Sequence, residues 1–558
     1  MASRQESSLP LRPKEQDPPE GQATSKSALK KAAKEKEKAE KAARRQEQER
    51  QQKEQAEASD TAKHLYGPLS LPSEPAASQE FTELADLYDA KEDQEVTLDA
   101  RVHNARVQST KLAFLVLREG PHTIQAVIAE GGAHKISRQM VKWSGGLNTE
   151  SIVRVTGLVK QPLEPVTSTS ISNYELHVAS IYLISAAAQQ LPIQVKDCMR
   201  PPPMGDEPTQ AEEQAADGTP IVSLSARLNN RVLDARTAAN NAIFQLQSGV
   251  SNLFIEYMNK HKFTWIQSSK IAGAATEGGA GVFEIKYFDT KAYLTQSPQF
   301  FKQMAIAMDM KRVCEIGPVF RAENSNTHRH LTEFTGLDFE MVIRNHYHEV
   351  LGFSERLLIF IIRALQTREE YKRLTKVVQQ VYSEAGNFKL PPGDDAVRIT
   401  FAEGVKLLNE AGIEAAELDD LSTAQERTLG TLISQKYSSD FFTMDKYPLA
   451  IRPFYTHPDP TSPHLSHSYD FFMRGQEIMS GAQRIHDYNT LCERMRASDP
   501  PLDPLGKGFK DYTDAFRYGC APHGGGGIGL NRVVQFYLGL PDIRAATLFV
   551  RDPGRLAP

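Results

Sequence analysis

The stretch Arg312–Met341, RVCEIGPVFRAENSNTHRHLTEFTGLDFEM, decides the fold of the larger part of this chain. Its flanks, Val313–Phe320 and Leu331–Ile343, are rich in residues that suit strands, whereas the polar segment between them cannot build a core. The pattern predicts an antiparallel strand pair joined by a long loop. Arg321 ends the first strand and Phe334 lies in the second. A guanidinium there can bind phosphate and carboxylate oxygens, and an aromatic ring can stack on a base, although composition alone favours a structural hairpin.

The whole chain sets limits on the class of protein. Its 558 residues exceed the usual size of one hydrophobic core, so we expect two or three folded units. Four widely spaced cysteines indicate neither a zinc site nor a disulfide framework, and the formal charge of -5 names no partner. The first residues contain acids and prolines without an apolar signal core, and no apolar run is long enough to cross a bilayer. We expect a cytoplasmic protein without a membrane segment.

The segment from about Ser25 to Ala62 is dominated by Lys, Glu, Gln, Ala and Arg and cannot bury a core. It predicts a solvated helix or a disordered extension. Lys26, Lys30 and Lys34 recur every four residues, so a helix would align them as a positive stripe, with Lys31 beside it. Two interpretations stay open for this stripe: an exposed solubilising face and a surface that binds RNA.

Between Glu95 and Ser185 the sequence alternates apolar and polar residues. Runs such as LAFLVLRE, TIQAVIAE and YELHVASIYLI predict five short strands joined by turns, which suits a small barrel of the OB type. Such barrels often bind single-stranded nucleic acid through exposed aromatic and polar side chains. The sequence therefore predicts an all-β unit in the first half of the chain.

The rest of the chain consists of a linker and a unit of the size of a catalytic domain. Pro201–Pro220 is rich in proline and acids, which is typical of a linker. After it, strand-like runs do not alternate regularly with helices, which argues against a parallel doubly wound sheet. We predict an extension over 1–63, a linker over 64–90, the barrel over 91–188, a hinge over 189–224 and a catalytic domain over 225–558.

Two further motifs carry chemistry. HGGGGIGLNR ends in Arg532 before an apolar helix, and its glycines allow close backbone approach, although a glycine run alone is more often a flexible loop. In SYDFFMRGQEIMSGAQRIHD, Asp470, Glu477 and Arg484 are spaced seven apart with Ser480 between the last two. Carboxylate and hydroxyl oxygens suit Mg²⁺, although this spacing alone would indicate salt bridges on a helix.

The spelling of these motifs resembles the class II aminoacyl-tRNA synthetases, and among them the aspartyl enzymes of the eukaryotic cytosol. FRAE followed by HRHLTEF is similar to motif 2, HGGGGIGLNR to motif 3, and SKSALKKAAK to the amino-terminal extension that binds tRNA. VHNAR, AFLVLR, TIQAVI and NYELHV are similar to the anticodon-binding barrel. The resemblance covers nearly all of the chain from Ser25. It implies an α+β protein in which an OB-fold barrel precedes a class II antiparallel sheet flanked by helices.

The resemblance also implies an activity and its residues. The enzyme would activate L-aspartate with ATP and Mg²⁺, transfer it to tRNA(Asp), and work as a homodimer. The implied catalytic residues are Arg321, Arg532 and Glu323. ATP would be bound by Arg321, Glu323, His330, Leu331, Phe334, Glu477 and Arg532. Mg²⁺ would be bound by Asp470, Glu477 and Ser480. The tRNA would be bound by Lys26, Lys30, Lys31, Lys34, Arg106, Phe114, Gln125 and Glu175. For Phe114 a place in the barrel core, and for Gln125 and Glu175 a solvated strand face, stay open as alternatives.

Recognition of aspartate requires fixed cations for its second carboxylate. Lys302 and Arg484 stand where the aspartyl family has them, and the asparaginyl relative lacks a lysine at the first position. A neutral amide would leave Lys302 with a poor partner, at a cost of about 1 to 3 kcal/mol or more. The full set implied for aspartate is Glu277, Gln299, Lys302, Arg321, Asp338, Ser480 and Arg484.

Several positions depart from the family pattern. Ser269 replaces a proline of motif 1, the segment that forms the dimer interface in class II enzymes, and Asn531 replaces an acid of motif 3. Val550 and Gly554 stand where proline and lysine are usual. These changes spare the predicted ligands. They leave two alternatives: a diverged paralogue that activates aspartate for another role, and a catalytically silent tRNA-binding protein.

Overall fold

The computed structural model describes residues 41, 44, 45, 47, 60–70, 80–132, 134–202, 220–274, 281–325, 327–393 and 395–558. The predicted tRNA-binding residues Lys26, Lys30, Lys31 and Lys34, and the predicted aspartate-binding residue Glu277, lie outside the described residues. Two compact units divide the chain, residues 1–117 with 124–187 and residues 118–123 with 188–558. The finer boundaries of extension, linker and hinge stay predictions.

The first unit is a barrel. Its strands are β1 (Tyr66–Pro68), β2 (Glu95–Ser109), β3 (Leu112–Glu119), β4 (His122–Ala129), β5 (Ile152–Lys160) and β6 (Glu175–Ser185). They follow the order β1-β6-β4-β3-β2-β5, and a further pairing of β5 with β6 closes the sheet. Helix α1 (Arg138–Gly145) begins after Ser137, whose hydroxyl accepts a hydrogen bond from Met140 N. Short 3₁₀ helices are Lys63–Leu65 and Leu84–Asp89.

Alternation along the strands fills the interior of this barrel. Val96, Leu98, Ala100 and Val102 of β2 are all buried. Their neighbours in sequence point outwards because successive side chains of a strand face opposite sides. The predicted OB-type barrel is confirmed, with β1 as an additional short strand at its edge.

The second unit combines a large sheet with helices. Its strands are β7 (Thr264–Trp265), β8 (Ile271–Ala272), β9 (Glu284–Tyr287), β10 (Thr290–Leu294), β11 (Arg312–Phe320), β12 (Glu333–Val342), β13 (Val397–Thr400), β14 (Phe441–Asp445), β15 (Ser468–Met473), β16 (Gln476–Gln483) and β17 (His523–Gly529). Its helices are α2 (Leu224–Asn229), α3 (Arg231–Asp234), α4 (Ala238–Lys260), α5 (Gln299–Ala307), α6 (His348–Thr367), α7 (Glu369–Gln379), α8 (Phe401–Glu410), α9 (Thr423–Tyr437), α10 (Tyr488–Arg496), α11 (Lys510–Arg517) and α12 (Leu530–Tyr537). Short 3₁₀ helices are Val195–Cys198, Leu449–Ile451 and Ile543–Ala546.

Eight strands form the main sheet in the order β13-β14-β15-β16-β17-β12-β11-β7. All neighbours are antiparallel except the two edge pairs, β13 with β14 and β11 with β7. The predicted hairpin is present, since β11 and β12 pair from Arg312 opposite Met341 to Phe320 opposite Glu333. The prediction of an antiparallel class II sheet flanked by helices is confirmed. Three further strands form a small separate sheet, β8-β10-β9.

The core lies on one face of the main sheet. Phe339 of β12 packs in one buried cluster with Phe254 of α4, Leu358 of α6 and Val534 of α12. Because side chains alternate along a strand, Asp338 and its second neighbour Glu340 face the opposite side. That opposite side of the sheet carries the candidate site. None of the described helices is both long and apolar enough to cross a membrane.

Candidate active site

A cavity of about 220 Å³ opens on this face of the second unit. Twelve of the residues predicted from sequence line it: Gln299, Lys302, Arg321, Glu323, His330, Leu331, Phe334, Asp338, Glu477, Ser480, Arg484 and Arg532. They come from α5, from the β11-β12 hairpin, from β16 and from the start of α12. Segments that are more than two hundred residues apart in sequence therefore meet at one cavity.

One end of the cavity holds a buried ammonium group. Lys302 of α5 is 3% exposed, and its Nζ donates to Asp338 Oδ1 at 3.1 Å and to Gly526 O at 3.3 Å. Glu340 Oε2 lies 3.5 Å from the same nitrogen. A buried charge with this many partners is held in one place. Lys302 is thus a fixed cation at the floor of the cavity.

Glu340 joins this lysine to a second cation. Its carboxylate accepts from Arg484 Nε at 3.0 Å and from Nη2 at 3.4 Å, and the arginine also donates to Gly525 O at 3.1 Å. Burial raises the pKa of the Glu340 carboxyl, but Arg484 and Lys302 together hold that pKa below its ordinary value. Burial lowers the pKa of Arg484, but Glu340 raises it to a net value above normal. The Glu340 carboxylate therefore lies between the Arg484 guanidinium and Lys302 Nζ.

The other end of the cavity, around Arg321, is more exposed. Arg321 follows β11, with its guanidinium 5.6 Å from the centre of the Phe334 ring and its Nη1 3.8 Å from Glu323 Oε1. His330 Nδ1 lies 2.6 Å from Thr327 Oγ1, and its Nε2 lies 4.0 Å from Glu323 Oε2. Burial and the nearby Arg532 lower the pKa of His330, so the ring is neutral near pH 7. This end offers cations and a ring face.

The glycine run forms a central strand instead of a flexible loop. His523–Gly529 is β17, paired with β12 on one side and β16 on the other. A Cβ at Gly525 would overlap the Phe339 carbonyl oxygen, and one at Gly526 would overlap the Met479 side chain. The glycines thus allow close packing of neighbouring strands. Arg532 follows this strand, at the start of α12, and lines the cavity, where its Nη1 donates to Glu477 O at 3.2 Å.

The three predicted Mg²⁺ ligands lie near one another, and two of them accept hydrogen bonds from Arg452. Asp470 lies opposite Ser480 in the β15-β16 pair, and Arg452 Nη2 donates to Asp470 Oδ2 at 2.6 Å. Arg452 Nη1 also donates to Ser480 Oγ at 3.3 Å. Burial, with added repulsion from Glu477, raises the pKa of Asp470. Asp470 does not line the cavity, whereas Glu477 and Ser480 do.

Three residues of the site were not predicted from the sequence: Glu340, Arg452 and Arg329. Glu340 was detectable, because it follows Asp338 by two positions on a predicted strand and must share its face. Arg452 carried no local signal. Arg329, which also lines the cavity, donates to Glu426 Oε2 at 3.1 Å across ninety-seven positions of sequence. Burial and the charge of Glu477 raise the pKa of Glu426 to about 7.

The departures from the family pattern are accommodated locally. Asn531 Oδ1 accepts from Thr335 N, while its Nδ2 donates to Ala546 O at 3.0 Å and to Thr547 Oγ1 at 2.9 Å. An ionised acid at this position could not make the two donations. Asn531 is therefore well bonded in the segment that resembles motif 3.

Three departures remain: Ser269 lies between two well-bonded residues, Val550 is buried, and Gly554 N donates to Asp552 Oδ1 at 2.9 Å. Beside Ser269, Ser268 donates from its N and Oγ to the Glu315 carboxylate, which also accepts from Lys270 Nζ at 2.7 Å. These bonds hold the segment that lacks the proline. Val550 is buried in a cluster with Leu331, next to Phe334.

In the barrel, the predicted tRNA ligands occupy outward positions. Phe114 is half-buried and lies outside the core cluster, so the alternative of a core residue is not what the structure shows. Gln125 Nε2 donates to Glu175 Oε2 at 3.1 Å. His177 Nε2 lies 2.8 Å from the other Glu175 oxygen, and Arg106 is exposed. Gln125 and Glu175 thus form one polar patch on adjacent strands.

Comparisons with known proteins place the chain in a family. A family model described as tRNA synthetases class II (D, K and N) matches residues 223–553. The chain is 45% identical over 502 residues to the cytoplasmic aspartate-tRNA ligase of Homo sapiens, which covers 90% of this chain and 96% of that protein. The aspartyl tRNA synthetase structure from Entamoeba histolytica matches with a TM-score of 0.77 and 40% identity, over 88% of this chain and 96% of that one. An asparaginyl-tRNA synthetase structure from Pyrococcus horikoshii matches with a TM-score of 0.67 and 28% identity, over 84% and 97%. The chain belongs to the class II tRNA synthetase family of the D, K and N type.

Proposed function

We propose that this protein is an aspartate-tRNA ligase of the cytoplasm. It activates L-aspartate with ATP to aspartyl-adenylate and transfers the aspartyl group to the terminal adenosine of tRNA(Asp). The observation that carries the proposal is the pair of buried cations, Lys302 and Arg484, at the closed end of a cavity whose open end holds Arg321 and Arg532. The names of the cytoplasmic relatives support both the reaction and the location.

The two ends of the cavity divide the work. Lys302 and Arg484 bind the side-chain carboxylate of aspartate, while Asp338 and Gln299 accept hydrogen bonds from its α-ammonium. Arg321 bridges the α-carboxylate and the α-phosphate, which places the nucleophile for in-line attack and neutralises charge in the transition state. Arg532 holds the γ-phosphate.

Other residues of the motif 2 hairpin complete the nucleotide site. Phe334 stacks on the adenine. Glu323 and His330 orient the nucleotide, and Leu331 packs beneath it.

Mg²⁺ would be held by Glu477, Ser480 and Asp470 together with phosphate oxygens of ATP. The donor set fits a hard cation, since all the ligands are oxygens and Asp470 Oδ1 is buried without a hydrogen-bond partner. Among the described residues, no group of three His, Cys, Asp or Glu is placed to hold a metal ion by itself. ATP must therefore complete the coordination. When bound, Mg²⁺ neutralises phosphate charge and orients the pyrophosphate leaving group.

Selection of aspartate over asparagine follows from the charge at the closed end. A neutral amide would replace a carboxylate beside Lys302 and Arg484, whose anionic partners among the described residues include Glu340 and Asp338. Leaving a charged donor poorly paired costs about 1 to 3 kcal/mol, or about 5- to 160-fold in affinity. The higher identity to the aspartyl than to the asparaginyl structure, 40% against 28%, supports the same choice.

The tRNA would be bound by the barrel and by the amino-terminal extension. Phe114 stacks on an anticodon base, Gln125 and Glu175 read base edges, and Arg106 holds the backbone. Lys26, Lys30, Lys31 and Lys34 add contacts that do not read sequence. Deletion of residues 1–60 should weaken tRNA binding and flatten its salt dependence. Unchanged affinity would leave the lysines as a solvated face.

A homodimer is part of the proposal. Trp265 of β7 and Ile271 of β8, in the motif 1 segment, are about half exposed, and large apolar groups at a sheet edge favour association. Light scattering should give twice the mass of 62.2 kDa for the chain. The mass of one chain at working concentration would contradict the dimer.

The test of the function is aspartate-dependent exchange of pyrophosphate with ATP, followed by charging of total cytosolic tRNA. Exchange with aspartate but not asparagine, together with charging, is the expected result. Exchange without charging would favour the paralogue with another role. Neither reaction would overturn the proposal and leave a binding protein.

A further inference from the structure

A series of buried, hydrogen-bonded polar groups lies behind the end of the cavity that holds Lys302 and Arg484, which we call the aspartate end. His523 Nδ1 lies 2.7 Å from Ala521 O, and His523 Nε2 lies 3.1 Å from Gln303 Nε2. Gln303 Oε1 accepts from Gln299 Nε2 at 2.9 Å and from Tyr512 OH at 3.1 Å. Gln303 and His523 are fully buried, and Gln299 lines the cavity.

The Ala521 carbonyl, at one end of this series of hydrogen bonds, determines which group donates and which accepts in each bond. A backbone carbonyl can only accept, so His523 Nδ1 must carry the proton that it donates to Ala521 O. Burial lowers the pKa of His523 to about 4, so the ring is neutral and its Nε2 is an acceptor. The groups that act on this ring are Glu340, which favours its charge, and Arg484 and His486, which oppose it.

The orientation of both glutamine amides follows from this. Gln303 must turn its NH₂ group towards His523, which leaves Oε1 facing Gln299 and Tyr512. Gln299 must then turn its own NH₂ group towards Gln303. The polar atom that remains to Gln299 for a substrate is Oε1, an acceptor. An ammonium group needs an acceptor, whereas an NH₂ group in that place would repel it.

We propose that Gln303 is a positioning residue for aspartate recognition, which holds the Gln299 amide with its oxygen towards the α-ammonium of the substrate. Gln303 does not line the cavity and acts only through Gln299. The inference rests on the proposed function, in which Gln299 binds the α-ammonium. It adds a specificity determinant whose polarity is set by the backbone at Ala521.

The test is Gln303→Met, which keeps the length of the side chain and removes both hydrogen-bonding groups. We expect the KM for L-aspartate in pyrophosphate exchange to rise about 10- to 100-fold, because a bond to a charged group is lost. The KM for ATP should stay within about twofold. The inhibition constant of succinate, which is aspartate without its amino group, should also stay within about twofold. A general collapse of the pocket would raise all three constants.

Two further variants make the test strict. Gln303→Glu, whose protonated carboxyl group can donate to His523 Nε2 and accept from Gln299, should recover much of the loss. Gln299→Met should lose as much aspartate affinity as Gln303→Met, and the double variant should lose no more than Gln299→Met alone, because the two residues act in series. Additive losses would overturn the proposal. As a control, Gln366→Met removes a glutamine that donates to Phe388 O away from the cavity, and it should leave both KM values unchanged.

The outcomes separate this inference from the proposed function. If the wild-type protein exchanges pyrophosphate with aspartate and Gln303→Met matches it, the positioning role is wrong and the function stands. If the wild-type protein shows no exchange with aspartate, the function itself fails.

Discussion

The two ends of the cavity differ in how much of their geometry exists before a substrate binds. At the aspartate end, Lys302, Glu340 and Arg484 are at most 5% exposed and bonded at 3.0 to 3.5 Å. At the nucleotide end, the Arg321 side chain is 37% exposed, and its ion pair with Glu323 spans 3.8 Å. The pair between Arg532 and the Glu477 carboxylate also spans 3.8 Å.

The two ends would therefore serve different steps of the proposed reaction. The charges that would distinguish aspartate from asparagine are set in place by folding, because burying ionic groups without partners is costly. At the other end, the longer ion pairs of Arg321 and Arg532 would give way to contacts with the phosphates of ATP. Residues at the first end should therefore affect stability and substrate choice together, whereas residues at the second should affect activity alone.

Arg321→Ala should give the largest effect. Loss of a cation that neutralises the transferring α-phosphate should lower kcat/KM in pyrophosphate exchange by about 10³-fold, or about 4 kcal/mol. The free energy of unfolding should change by less than about 0.5 kcal/mol, because the group is part-exposed and makes a long ion pair. Arg373→Ala removes a half-exposed arginine of α7 and should change neither quantity. Full activity of Arg321→Ala would remove this residue from the site.

Lys302→Ala should give the second-largest effect, and it should change both the free energy of unfolding and the KM for aspartate. The change removes the buried cation that pairs with Asp338 and leaves Arg484 as the cation beside Glu340, so the free energy of unfolding should fall by about 3 to 5 kcal/mol and the KM for aspartate should rise about 100-fold. Urea denaturation and exchange kinetics measure the two. The exposed pair of Lys291 with Glu284 provides the control, Lys291→Ala, in which both should stay unchanged. A normal aspartate KM in Lys302→Ala would refute the account of specificity.

Glu426→Gln should give the smallest effect, at the rim of the nucleotide end. The folded carboxyl keeps its proton up to about pH 7, whereas the unfolded one loses it near its ordinary value of 4.5. The folded state thus binds the extra proton in this window, so wild-type stability should fall as pH rises from 4.5 to 7, by about 1 to 2 kcal/mol after allowance for solvent. In Glu426→Gln this fall should be absent when urea midpoints are compared at about pH 5 and about pH 7.5. An equal fall in both proteins would contradict the assignment.

Much of the fold was predictable because its signals are local. The alternation in the barrel and the β11-β12 hairpin are each encoded within a few residues. The resemblance predicted twelve of the residues that line the cavity, and six of these belong to motifs 2 and 3. The helical alternative for the Asp470–Arg484 spacing is wrong, because β15 and β16 occupy that segment.

What could not be predicted depends on distant pairing. Glu340 meets Arg484 across 144 positions, and Gln303 meets His523 across 220. Neither local periodicity nor composition contains such contacts. The bonds of Asn531 are equally absent from the local sequence, because its three partners become neighbours only after folding.

The most direct test compares two crystal structures, one of the free protein and one with a non-hydrolysable aspartyl-adenylate analogue. We predict that Lys302, Glu340 and Arg484 differ by less than about 0.5 Å between the two structures. Arg321 and Glu477 should change rotamer to contact the phosphate and the metal. An aspartate end that rearranges on binding, beside a nucleotide end that stays unchanged, would contradict the account.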